Sequence, residues 1–311
     1  MNTTIRRRSV LLTLSAALVV TLTMGCKKDE AAAGGGETAK QGTGKKISIQ
    51  NIGSDTMVNL AQAWAEHYAK VAPGVSVEVS GGGSGVGIAA LINGTAEIAN
   101  SSRKLEEAEA AKAKAAHKTD PTEFMVGSDG LAVYVHKSNP LETISIEELS
   151  EIYREGGKFD KWSDVGVAAI PGAKDNTIIR VSRQNNSGTY QYFREVVVGK
   201  KQDYKSGSLD MNGSKEVVEL VAKTPGAIGY SGLGYATPEV KILKISAKKG
   251  EPGVVPSNAT VLDNTYPIAR PMYMYTPGVP SAEVKKYLDW IVSDEGQKIV
   301  EQTGYVPLPK K

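Results

Sequence analysis

Val75-Ser76-Val77-Glu78-Val79-Ser80-Gly81-Gly82-Gly83-Ser84-Gly85, residues 75–85, is the stretch that decides the fold. Its first five residues alternate β-branched with polar side chains, the period of a strand. A turn of glycine and serine follows, and then Ile88, Leu91 and Ile92 recur at the spacing of a helix face. A strand leading through a tight turn into a helix is the first half of a βαβ unit.

The same pattern recurs on either side. Ile47-Ser48-Ile49 precedes Gly53-Ser54-Asp55-Thr56 and a helix on which Leu60, Trp64, His67 and Tyr68 share a face. Ile178-Ile179-Arg180-Val181 precedes Asn185-Asn186-Ser187-Gly188-Thr189 and a helix carrying Tyr190, Phe193 and Val197. Ala227-Ile228-Gly229-Tyr230 reads as a further strand, and the segment from Tyr266 to Tyr275 as a strand that crosses between domains. Ser145 with Glu148 has capping-box spacing ahead of Leu149 and Ile152, and Ser214 precedes Val217, Val218 and Val221. One last helix is predicted from near Ser281 through Tyr287, Leu288, Ile291 and Ile299 to Gly304. No repeat at a fixed period is found. A chain of 311 residues, 41% hydrophobic, with 33 glycines and only 3 phenylalanines, fits about two domains of helices packed on sheets.

The N-terminus reads as an export signal, residues 1–25. Arg6, Arg7 and Arg8 lead an uncharged stretch from Ser9 to Gly25, too short for a membrane span. Cys26 follows, the only cysteine, and Gly25 before it is the small residue a lipoprotein signal peptidase requires, so Cys26 is the predicted lipidation site. Arg7-Arg8-Ser9-Val10-Leu11 also has the outline of a twin-arginine signal, which leaves the export route open. Residues 26–46 lack large apolar side chains from Lys27 on and read as a flexible tether. The three arginines of the signal account for the whole formal charge of +3, so the chain from Cys26 onward is formally neutral. A bulk basic field, the footprint of nucleic-acid binding, is missing, and any anion must be held by local geometry.

Such geometry is offered by the three turns, around Ser54 to Thr56, Ser84 and Ser187 to Thr189. Helix N-termini present free N–H groups and a partial positive charge, hydroxyls add donors, and glycine allows close backbone approach. Each turn alone reads equally well as an ordinary helix cap. Arg183, four residues before Ser187, supplies planar, permanently charged donors that match two oxygens of one anion. Other chemistry fails on its residues. The glycine run has Val86 where a dinucleotide fingerprint needs glycine, and no P-loop lysine follows. His67, His117 and His136 are far apart with no cysteine to join them in a metal site. Gly229-Tyr230-Ser231-Gly232 resembles a nucleophile elbow, but Leu233 stands at the second glycine and no histidine follows.

In Gly53-Ser54-Asp55-Thr56-Met57, Ser80 to Gly85, Ile98-Ala99-Asn100-Ser101-Ser102-Arg103, Asp129-Gly130-Leu131-Ala132-Val133, Arg183 to Thr189, Pro225 to Tyr230 and Tyr266-Pro267-Ile268-Ala269-Arg270, taken in order, the chain resembles PstS, the phosphate-binding proteins of phosphate-specific ABC transporters. The resemblance implies an α/β, type II periplasmic-binding-protein fold, two lobes joined by two crossing strands. Lobe 1 is placed at 47–128 plus 265–311 and lobe 2 at 129–264. It implies a non-enzymatic, cofactor-free monomer that encloses inorganic phosphate between its lobes and docks on a membrane permease. By motif position Ser54, Thr56 and Ser84 match the donors of lobe 1, and Arg183, Ser187, Gly188 and Thr189 the anchor of lobe 2. Ser102 stands where many members carry an aspartate that accepts the proton of hydrogen phosphate and so rejects sulfate. Asp55, or failing it Asp129, is the candidate replacement acceptor. Asp129 reads otherwise as a turn residue, and Arg103 as a partner of Glu106 or Glu107. Sulfate, molybdate or tungstate stay open as ligands, as does a sensor or scavenger role without a transporter.

Overall fold

The structure, a computed structural model, describes residues 46–309. The signal peptide, Cys26 and the tether up to Lys45 lie outside the described residues. Along the described residues run β1 Ile47–Gly53, α1 Val58–Val71, β2 Val75–Ser80, α2 Ser84–Ile92, β3 Ile98–Ser101, α3 Glu107–His117 and β4 Thr122–His136. Next come β5 Thr143–Ser145, α4 Ile146–Tyr153, β6 Ile179–Arg183, α5 Gly188–Phe193, β7 Leu209–Met211, α6 Ser214–Lys223 and β8 Ala227–Gly232. β9 Val240–Ile242, β10 Lys244–Ser246, α7 Asn258–Leu262, β11 Ala269–Thr276, α8 Ala282–Ile291 and α9 Asp294–Gln302 complete the order.

The main sheet has the order β2-β1-β3-β11-β4-β8-β6-β7, with β9 also paired to β4, and β10 pairs β5 apart from it. Its two ends are parallel and its middle is antiparallel. β1 pairs β2 and β3 in parallel, β6 pairs β7 and β8 in parallel, and β11 and β4 run antiparallel between them. β4 serves both sides. Its residues 122–130 pair with β11, and Leu131 to Val135 pair with β8.

A repeat invisible in the sequence emerges from this order. β1-α1-β2-α2-β3 places its first strand in the middle, and β6-α5-β7-α6-β8 does the same. What repeats is hydrogen-bond order, which leaves no trace in residue identity. Each half buries its own apolar cluster: Leu60, Trp64, Met274, Tyr287 and Ile291 on one side, and Val133, Tyr153, Trp162, Phe193 and Tyr230 on the other.

Local structure follows the sequence in most places. Ser145 and Glu148 form the capping box of α4, and Ser214, Val217, Val218 and Val221 are the buried face of α6. Three expectations need correction. His67 is exposed beside the buried Leu60, Trp64 and Tyr68, because it lies on the edge of the α1 face. The single last helix is two, α8 and α9, since Ser293 turns extended (φ −75°, ψ 167°) and its hydroxyl donates to the Trp290 carbonyl at 2.7 Å. The helix after Ser187 passes into a π-helical stretch, Arg194–Gly199.

One close approach sets where the second site turn lies. At Gly87 of α2 a methyl group would fall against the Ile52 carbonyl oxygen and 2.6 Å from the Gly53 Cα, so the helix rides on the end of β1. Gly87→Ala is expected to destabilise the protein by about 1–3 kcal/mol, the usual cost of overpacking, read as a lower urea midpoint. An unchanged midpoint would show that α2 is free to shift.

Candidate anion-binding site

Open α/β sheets bind ligands outside the carboxyl ends of strands where the strand order reverses. Here both halves put their central strand at such a point, and β1 and β6 each deliver a polar turn. Met57 with α1 follows the first, and the Ser187 cap of α5 follows the second. Helix α2 adds Ser84 as its first residue, and Ser102 lies just past β3.

From the first half come three buried serines. Ser54 Oγ donates to Ser102 Oγ at 3.0 Å, the Ser102 N–H donates to Ser84 Oγ at 3.1 Å, and the Ser84 and Ser102 hydroxyls are 3.4 Å apart. From the second half, Gly188 closes on them. A methyl at Gly188 would fall against Ser84 Oγ and 2.6 Å from Ser102 Oγ. Ser187 Oγ accepts from the Thr189 N–H at 3.1 Å, and Thr189 Oγ1 lies 2.8 Å from Thr56 Oγ1 across the halves.

Arg183 and Asp55 tie the same halves by charge. Arg183, 0% exposed, donates from Nη2 to Asp55 Oδ2 at 3.0 Å and to the Asn212 carbonyl at 2.7 Å, and from Nη1 to Ser214 Oγ at 3.0 Å. Burial pushes its guanidinium below the usual range, and the Asp55 carboxylate pulls it back. A guanidinium carries five N–H donors. These bonds leave the Nε proton and one Nη1 proton, and Nε has no partner among the described residues. Unspent donors on a buried cation are costly unless an acceptor meets them.

The residues singled out at the three turns come together with Ser102 and Arg183: Ser54, Asp55, Thr56, Ser84, Ser102, Arg183, Ser187, Gly188 and Thr189. Asp55 has a different setting from the free acceptor expected. Its Oδ1 accepts from the Gly82 N–H at 2.8 Å and its Oδ2 holds Arg183. Asn186 adds a further tie, its Nδ2 donating to the Gly82 carbonyl at 2.9 Å and its own carbonyl accepting from the Gly85 N–H at 3.0 Å.

Two residues carry more than sequence reasoning assigned them. Asp129 is no turn residue: it is buried in β4 opposite Arg270 of β11, whose Nη2 donates to Asp129 Oδ2 at 2.9 Å. Burial pushes the Asp129 carboxyl up, against the pull of Arg270 and of the Leu233 N–H. Arg270 closes one of the motifs that resemble PstS but carries no role there; the signal was a charge next to the run Met272 to Tyr275, since charged groups are seldom buried unless paired. Arg103 pairs with neither Glu106 nor Glu107 but with Glu109, at 2.6 and 2.7 Å, because Glu106 is the cap of α3 and Glu109 folds back to it. His117 and His136 bond the Leu91 carbonyl and Ser138, and among the described residues no group of three or more His, Cys, Asp and Glu could hold a metal ion.

Comparison with known proteins agrees in extent. The PBP superfamily domain matches residues 31–295. The phosphate-binding protein PstS of Pseudomonas aeruginosa is 32% identical over 282 residues, covering 88% of this chain and 86% of the relative. PstS of Bacillus subtilis is 30% identical over 304 residues, covering 97% and 95%. A crystal structure of a putative phosphate ABC transporter substrate-binding protein with bound phosphate, from Clostridium perfringens, superposes with a TM-score of 0.74 at 29% identity, covering 84% of this chain and all (100%) of that one.

The packing of Gly188 on the serines gives a test that needs no ligand. Gly188→Ala is expected to hold the halves apart and enlarge the radius of gyration in small-angle scattering. A radius equal to that of the unmodified protein would mean the serines give way.

Proposed function

The chain belongs to the PstS family of phosphate-binding proteins in the PBP superfamily, and we propose that it captures inorganic phosphate reversibly between its two halves and hands it to the permease of an ABC transporter. One observation carries the reading. Hydroxyls of Ser84 and Ser102, with Ser54 bonded to them, meet Gly188 of the other half, and that of Thr56 meets Thr189, beside a buried Arg183 with unspent donors. Charge-assisted bonds contribute about 1.5–3 kcal/mol each, so a few reach the roughly 8 kcal/mol of micromolar affinity. In this reading lobe 1 is 47–128 plus 265–311, lobe 2 is 129–264, and β4 and β11 are the strands crossing between them. Closure brings the lobe 2 anchor onto an anion already held by the first lobe.

A second reading, another tetrahedral oxyanion such as sulfate, is favoured by the state of the carboxylates. Both oxygens of Asp55 and both of Asp129 already accept hydrogen bonds within the protein. Ser102 then remains to accept a ligand proton, and a hydroxyl does not repel an unprotonated anion as a carboxylate does. Calorimetry decides between the two: phosphate is expected to bind and Arg183→Ala to weaken it at least about tenfold, the equivalent of one charge-assisted bond, with a lowered thermal midpoint because Asp55 loses its buried partner. Tighter binding of sulfate than of phosphate would overturn the phosphate assignment, and an unchanged Arg183→Ala affinity would overturn the site.

Among the described residues no helix is long and apolar enough to cross a membrane. What supports membrane attachment is the sequence: Gly25-Cys26 after the uncharged stretch Ser9 to Gly25 favours a lipid on Cys26, after removal of residues 1–25, with the body extracytoplasmic on the tether 26–46. Cys26→Ser is expected to shift the protein from the membrane pellet to the soluble fraction of fractionated cells. Retention in the pellet would argue against the lipid anchor.

A further inference from the structure

Arg270 and Asp129 face each other on β11 and β4, the two antiparallel strands at the centre of the sheet. Their side chains are 1% and 0% exposed, and Arg270 Nε and Nη2 donate to Asp129 Oδ2 at 3.2 and 2.9 Å. The same Nη2 lies 3.2 Å from Thr56 Oγ1 and 2.8 Å from Thr189 Oγ1. Tyr192 lies under the guanidinium, its ring centroid 5.4 Å from the Arg270 Cζ. One nitrogen on a central strand thus reaches a hydroxyl of each half.

That arrangement limits where hydroxyl protons can point. A guanidinium nitrogen only donates, and Nη2 spreads its two protons over Asp129 Oδ2 and the two threonine oxygens, with one proton shared, so both threonine oxygens accept from it. The two hydroxyls, 2.8 Å apart, share one proton between themselves. The other proton is turned out of the triangle. Without Arg270 the pair would be free to point both protons elsewhere or to part.

We infer that Arg270, anchored by Asp129, is a positioning residue for anion capture, which aims the Thr56 and Thr189 hydroxyls and holds them together across the two halves. The inference rests on the reading of the surrounding cluster as an oxyanion site. A lysine in its place keeps a charge beside Asp129 but loses the planar fork that bonds carboxylate and hydroxyls together.

The test is a double-mutant cycle on inorganic phosphate affinity, by calorimetry on the full mature chain. Arg270→Lys and Thr189→Val are each expected to weaken binding about tenfold or more, and the double variant is expected to be no weaker than the weaker single, because both remove the same aimed hydroxyl. Losses that multiply in the double variant, or an Arg270→Lys protein that binds like the unmodified one, would overturn the inference. Should Arg270→Lys fail to fold, Arg270→Met with Asp129→Leu removes both charges together and leaves no carboxylate unpaired. That variant is expected to fold and to show the same loss, and full affinity in it would overturn the inference equally. If the unmodified protein binds no phosphate, the reading of the site fails instead, and the two failures are told apart in the first titration.

Discussion

Two guanidinium groups buried in one protein set the terms for everything around them. An ionised side chain taken out of water costs several kcal/mol unless a partner and further hydrogen bonds meet it. Arg183 therefore draws in Asp55 from the opposite half, and Arg270 draws in Asp129 from the neighbouring central strand. These pairs fix more than charge. Asp55 holds the Gly82 N–H as well, so the first two turns of one half and the strand end of the other are registered by a single carboxylate. The serine and threonine hydroxyls then meet at hydrogen-bonding distance because their backbones have no other place to be.

The repeated connectivity explains why the polar turns converge. In each half the first strand lies centrally, so its carboxyl end faces a crevice between the flanking helices. β1 delivers Ser54 to Thr56 there, and β6 delivers Arg183 to Thr189. The antiparallel middle turns these two ends toward each other. β4 contributes to both ladders, with a bulge opposite Met272 and Tyr273, which makes it a structural link between the halves.

Much of this was legible because the polar turns are contiguous in sequence. A strand period, a glycine- and hydroxyl-rich turn and a helix face announce themselves within a dozen residues, and so Ser54, Ser84 and Ser187 could be placed at helix starts from the chain alone. The resemblance to PstS supplied what local patterns cannot, the convergence of turns far apart in sequence. Partnerships across long separations stayed hidden. Arg270 and Asp129 are 141 residues apart, and nothing in either neighbourhood marks them as a pair. Asp55 could be seen as an acid at a turn, but not as the mate of an arginine 128 residues away. The break between α8 and α9 escaped because Ser293 interrupts the backbone while leaving the apolar period of Leu288, Ile291 and Ile299 unbroken.

The pairing of each buried arginine with an aspartate has a kinetic side. Together with the formal neutrality of the chain beyond the signal segment, it leaves the cleft with no unpaired charge on either buried arginine, and the partial charge of its helix ends is screened within a Debye length, about 8 Å at physiological ionic strength. An anion then arrives by unguided diffusion and is recognised only on contact. Selectivity resides in how long it stays, and added salt, which slows electrostatically steered encounters, leaves capture by such a cleft nearly unaffected.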